Sequence, residues 1–208
     1  MSPKQRTTEF NRTNILEAAK HLFITKGLTQ TTMDDIAKEA DYSKSTIYVY
    51  FKSKDEIYNY LILKHFEILK FGISNALKDN PDFADGFFAI CNTLVSFQDE
   101  HPLFFESILG EIKISDDEKD DVLLQICRVG EEINELIMDF LRVNVKRKQI
   151  NLEMSEFQII LTLWASIGAI ILMADKKARY IEQAGITKDQ FRKDAFTFLL
   201  NSIIGKEN

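Results

Sequence analysis

From Thr31 to Lys54 the chain runs TTMDDIAKEADYSKSTIYVYFKSK, a spacing of hydroxyls, phenols and ammonium groups that two short helices and a tight turn would present outward. Thr32 is an N-cap whose hydroxyl takes an orphan amide, while Asp35, three residues on, reaches back. Ile36, Ala37 and Ala40 share one inward face, which predicts a helix over about 33–40. Asp41 and Tyr42 make the turn, Asp being one of the few non-glycine residues that tolerate a left-handed backbone. Ser43 caps a second helix over about 44–51, with Ile47 and Phe51 inward. Lys44, Ser45, Thr46, Tyr48 and Tyr50 are then left for water or a partner.

Such a face suits a helix laid in the major groove of double-stranded DNA, where amino-terminal residues reach base edges and hydroxyls and cations fix the frame on phosphates. Lys44 and Ser45 fall at the base-reading positions. Thr46, Tyr48 and Tyr50 offer hydroxyls to phosphate oxygens, and Lys52 and Lys54 add charge where the next helix starts. Thr31, Thr32, Tyr42 and Ser43, around the two caps, complete the DNA-facing set. The alternative, that the tyrosines are half-buried packing residues and the lysines merely solvated, does not account for cap, turn, cap and exposed face occurring in that order. Tyr42 to Lys54 holds three lysines and no acid.

An earlier helix must support this pair. Ile15, Ala18, Ala19, Leu22 and Phe23 recur at helical spacing as one core-facing stripe, and Gly27 ends it as a C-terminal cap. The first ten residues carry Lys4 and Arg6 without an apolar run, so they are no signal peptide and are expected to be a frayed arm. The whole chain is acidic, net −6 over 208 residues, which by itself argues against DNA. Residues 1–60 nevertheless hold nine Lys and Arg against eight Asp and Glu, so the acidity lies outside the reading module. This balance predicts modest non-specific affinity and reliance on a dimer.

The residues from Arg12 to Ile57 resemble the DNA-binding domain of the TetR family of bacterial transcriptional regulators. Arg12, Ile15, Leu16, Ala18, Ala19, Leu22, Phe23 and Gly27 match its first helix. Thr31, Thr32, Ile36, Ala37 and Ala40 match the second, and Ser43, Lys44, Thr46, Ile47, Tyr48, Tyr50, Phe51 and Lys54 the third and the start of the fourth. Asp41 and Ser45 stand where the family usually and often has glycine, and Ser45 bears on which operator is read. The resemblance implies an all-α protein of about nine helices. A three-helix helix-turn-helix DNA-binding domain over residues 1–53 would be followed by a larger effector-binding and dimerisation domain over 54–208.

The rest of the chain is compatible with that plan. At 45% apolar residues it is long enough for a small module and a larger core. Ser53 and Glu56 open a helix from Lys54 to about Lys78, the link between halves. Helices are predicted over about 81–99 and 102–114, and Ser115 with Glu118 opens another that closes near Lys146, Arg147 and Lys148. The acids Asp116, Asp117, Glu118, Asp120 and Asp121 suit a helix amino terminus better than a calcium loop, since no glycine turn accompanies them. Cys91 and Cys127 have neither metal-ligand nor redox spacing, and His21, His65 and His101 are scattered, so no metal or cofactor is expected. Two free thiols and no export segment fit the cytoplasm.

Phe157 to Ala174 carries no charge and by length would pass for a membrane span. Gln158, Thr162 and Ser166, spaced by four, argue for a helix buried on two sides instead. With a final helix capped by Thr187 and running to about Ile204, it is implied by the resemblance to form a dimer interface. Ala165, Gly168 and Ala169 would permit close approach beside Phe191 and Phe198, with burial in a monomer core the alternative. Aromatics concentrate between these elements, and family likeness implies an apolar or amphipathic small-molecule effector. Phe87, Cys91, Phe104, Ile108 and Trp164 are candidate lining, with Glu106 or Gln158 as polar anchors.

A homodimeric repressor released by its effector is the expected function. The rival is a helical carrier or enzyme with a vestigial amino-terminal module, although no nucleophile with a base, phosphate loop or paired metal ligands is present. A third reading is an architectural DNA-binding protein with no effector.

Overall fold

The computed structural model describes residues 2–110, 121–150 and 153–204. Ten α-helices occur among them: α1 Pro3–Thr25, α2 Met33–Glu39, α3 Lys44–Tyr50, α4 Lys54–Asp79, α5 Phe83–Glu100, α6 Pro102–Leu109, α7 Asp121–Lys146, α8 Glu156–Lys176, α9 Ala178–Gln183 and α10 Lys188–Ile204. The sequence-based expectation of about nine omitted α9, a helix of six residues too short to show a period. The capping box at Ser115 and Glu118 and the acids from Asp116 to Asp120 lie outside the described residues.

The chain divides into two compact units. Of the described residues, the first unit, the head, comprises 2–65 with 121–127; the second, the body, comprises 66–110 with 128–150 and 153–204. α4 starts at Lys54, where sequence placed the domain boundary, but its residues through His65 belong to the head.

In the head, Ile15, Ala19 and Phe23 of α1 are buried, as are Ile36 and Ala37 of α2, Ile47 of α3, Phe51, and Ile57 and Leu61 of α4, and α1 packs with α2 and α2 with α3. Such side chains stabilise the fold by roughly 1.5–3 kcal/mol each when fully buried. The expected frayed arm is helix instead. Ser2 accepts from the Gln5 amide, Gln5 reaches back to the Ser2 amide at 2.7 Å, and Pro3 occupies the first turn, where its missing N–H costs nothing. Lys26 caps α1, and Gly27 follows it with a φ of +89°, open to glycine without strain.

In the body, α8 packs with α5, α6, α9 and α10, and α5 also contacts α6 and α10. α8 turns Ile159, Ile160, Leu163, Ile167, Gly168, Ile171 and Ala174 inward. The opposite stripe, Phe157, Leu161, Ala165, Ala169 and Met173, recurs every four residues and is exposed. α8 is therefore buried on one side within the chain and not on two. Among the described residues it is the one helix long and apolar enough to cross a membrane.

Candidate nucleic-acid interface and effector cavity

α3 is built by three local devices. Thr32 and Asp35 form the capping box that starts α2, with the Thr32 amide donating to Asp35 Oδ2 at 2.9 Å and the Asp35 amide to Thr32 Oγ1 at 3.2 Å. α2 then closes in a Schellman turn: Tyr42 N–H donates to Ala37 O at 2.9 Å and Asp41 N–H to Lys38 O at 3.3 Å, with Asp41 left-handed at φ 58°. Ser43 caps α3 by accepting from the Thr46 amide at 3.1 Å. Cap, turn and cap thus stand where the sequence placed them.

The side chains then divide. Lys44, Ser45, Tyr48 and Lys52 are exposed, as are Thr32 and Ser43 at the caps. Tyr42 and Tyr50 are half-buried, and their phenols converge on Asn11 of α1: Tyr42 Oη donates to Asn11 Oδ1 at 2.9 Å and Asn11 Nδ2 donates to Tyr50 Oη at 2.8 Å. These two tyrosines lock α3 onto α1. Lys54 Nζ donates to Leu28 O at 2.7 Å, fastening the start of α4 to the loop after α1. Thr31 is 1% exposed and gives its hydroxyl to Gly27 O at 2.8 Å. Of the eleven residues expected to face DNA, Thr31 is corrected to an interior strut, because its hydroxyl closes the α1–α2 turn.

Electrostatics sharpen the exposed set. Lys44 Nζ lies 2.8 Å from Asp34 Oδ1 at the start of α2, and this carboxylate holds the ammonium pKa above its usual value. Ser45 Oγ lies 2.8 Å from Ser43 Oγ, and Thr46 Oγ1 is equally close to it. Asp35 is held well below the usual carboxylate range, first by Lys26 at 2.6 Å and then by the Thr32 hydroxyl and amide. Arg12 lies over the rings of Phe51 and Tyr60 at 4.7 and 4.6 Å, so this cation serves the head's packing. Sequence reasoning missed Asn11, Asp34 and Val49; the last is the most exposed large apolar residue of α3, and its i+4 spacing from Ser45 was the available signal.

The body holds a cavity lined by Phe83, Phe87, Ile90, Leu94, Ile137, Phe140, Leu141, Leu163, Trp164 and Ile167. Its free volume is about 20 Å³, close to the room one water needs. Phe83 stacks on Phe140 at 5.8 Å between centroids, and Trp164 Nε1 donates to Asn134 at 2.8 Å. Phe87 and Trp164 stand where the sequence put them. Cys91 and Phe104 are buried but outside the lining, and burial pushes the Cys91 thiol pKa up. Ile108 is half-buried and also outside it. Both proposed polar anchors are corrected: Glu106 is exposed and pairs with Lys176 at 3.2 Å, and Gln158 is exposed and caps α8 with Ser155. The other lining residues come from three helices, a convergence that no single-helix period reports.

Of the expected interface residues, Ala165, Ala169 and Phe198 are exposed and Phe191 is half-buried. Gly168 is corrected. It is buried, and a Cβ there would meet Leu109 of α6 at 2.7 Å, so its missing side chain admits a neighbour in the same chain.

These features define a helix-turn-helix head joined to a helical body with an apolar cavity. Residues 15–61 match the family described as bacterial regulatory proteins, tetR family. Over these residues the chain carries the DNA-binding domain of that family. It is 39% identical over 64 residues to the HTH-type transcriptional regulator YfiR of Bacillus subtilis, covering 30% of this chain and 31% of YfiR. It is 25% identical over 132 residues to YhgD of the same organism, covering 64% and 65%. The matched stretches therefore span less than two thirds of either relative. The fold is also that of the Bacillus subtilis transcriptional regulator FadR crystallised with stearoyl-CoA, with a TM-score of 0.69 at 16% identity over 92% of this chain and 98% of that one.

Proposed function

We propose that the chain is a transcriptional regulator, not an enzyme, that binds a near-palindromic DNA operator as a cytoplasmic homodimer and lets go when an apolar or amphipathic small molecule enters the body. The observation that carries this reading is the outer face of α3, where Lys44, Ser45 and Tyr48 stand exposed on a helix fixed from behind by Tyr42, Tyr50 and Asn11. Lys44 and Ser45, at the amino-terminal end of α3, read bases; Tyr48, Lys52, Thr32 and Ser43 hold phosphates. The operator is matched by two copies of α3 held about 34 Å apart. The second copy of the chain covers the exposed stripe of α8 together with Phe198 of α10, since an apolar row of this length suits a self-complementary two-fold contact.

The cavity supports the effector reading through its chemistry. Its wall is wholly apolar, so the buried part of an effector is hydrocarbon, and a long acyl chain, as carried by the stearoyl-CoA in FadR, fits that description. A volume near 20 Å³ is far below what such a chain fills, so the ligand must select an opened conformer. This preference for one conformer is what lets an effector act on DNA affinity. The α4 helix, shared by both units, is the lever.

The test is a gel-shift series at several salt concentrations, using duplexes selected from random DNA. Lys44→Ala is expected to relax sequence preference, by about 1–3 kcal/mol of lost discrimination, while Tyr48→Phe weakens binding to every sequence alike. Unchanged operator affinity in both variants would reject the assignment.

A further inference from the structure

Val49 is 78% exposed on α3, more than Tyr48 at 49%, and no head residue covers it. A β-branched residue at such a position neither favours the helix nor buries apolar surface. Its place on the helix is informative. Val49 lies one turn after Ser45 on α3, so the two occupy one outward strip, with Lys44 and Tyr48 along its flank. The polar groups around it are largely engaged: Lys44 by Asp34, Ser45 and Thr46 by Ser43, and the phenol of Tyr50 by Asn11. Two free methyl groups are what this strip adds to the interface. On the major-groove edges of the bases, the thymine 5-methyl is the apolar counterpart.

We propose that Val49 is a specificity residue that packs its isopropyl group against a thymine 5-methyl in each half-site. This deepens the DNA-binding reading and rests on it. The contact selects thymine over cytosine on its strand by shape and apolarity, with no hydrogen bond of its own. It adds to whatever Lys44 and Ser45 read and leaves phosphate contacts, and hence salt dependence, untouched.

The experiment uses the full chain and duplexes enriched from a random pool, resynthesised with deoxyuridine replacing each thymine in turn, a change that removes the methyl and nothing else. At one thymine in each half-site the loss of the methyl is expected to weaken binding about fourfold. Val49→Ala should bind the thymine and uracil duplexes equally, with an unchanged salt slope. Alanine is the better helix former and Val49 is exposed, so this variant keeps the fold, which circular dichroism checks. If uracil at every position leaves wild-type binding intact, or if Val49→Ala retains the methyl preference, the inference is overturned while the DNA-binding reading stands. Enrichment of no duplex at all overturns both.

Discussion

In the head, short helices are set by directional side-chain bonds: Thr32 and Ser43 cap backbone amides, Thr31 and Lys54 tie loops through backbone carbonyls, and Asn11 joins two phenols. In the body, long helices meet through rings, with Phe83 on Phe140 at 5.8 Å and on Phe87 at 6.3 Å around a nearly filled space. Directional bonds leave the head one arrangement, which the proposed reading of DNA requires. Apolar contacts specify volume more than direction, so the body can trade one packing for another, as the proposed effector response requires.

That contrast is open to attack by substitution. The largest effect is expected in the body: Phe87→Ala removes a buried ring from the cavity wall and should cost about 3–5 kcal/mol, read as a lower urea midpoint. If it unfolds the chain no earlier than wild type, the body is not held by its aromatic wall. A smaller loss is expected in the head, where Thr32→Ala deletes the cap of α2 and should cost about 1 kcal/mol. Hydrogen exchange should locate that loss in α2 and α3, and an equal loss across the body would deny the head its separate polar frame.

The smallest effect is with pH. Asp35 has a folded-state pKa below its ordinary value, so its contribution is fully present above about pH 3.9 and is lost as the pH falls through the lower folded value. Melting of the wild-type chain should therefore decline on acidification below that point. Asp35→Asn should flatten this part of the profile, and an unaltered slope would remove Asp35 from the polar frame. Because Asp35 and Lys26 are both partly exposed, added salt should reduce the difference.

The amino-acid order alone specified the head closely. Caps, a left-handed turn residue and i, i+4 stripes act within a few residues of one another, so α2, the turn at Asp41 and α3 were legible at Thr32, Asp41 and Ser43 without any distant partner. The α1 start was missed although Ser2, Pro3 and Gln5 carry the same local code. Which exposed-looking groups are committed internally depended on the fold: Thr31, Tyr42, Tyr50 and Lys54 find partners up to 39 residues away, and periodicity carries no such information. In the body the limit was sharper. Phe87 and Trp164 line the cavity, but no period distinguished them from Phe104, an aromatic that is buried outside it, while Gly168 turned toward Leu109, and Glu106 and Gln158 found neighbours outside the cavity. Local bonding is written in adjacent residues, but a cavity is the space left between helices, and its walls exist only once those helices have packed.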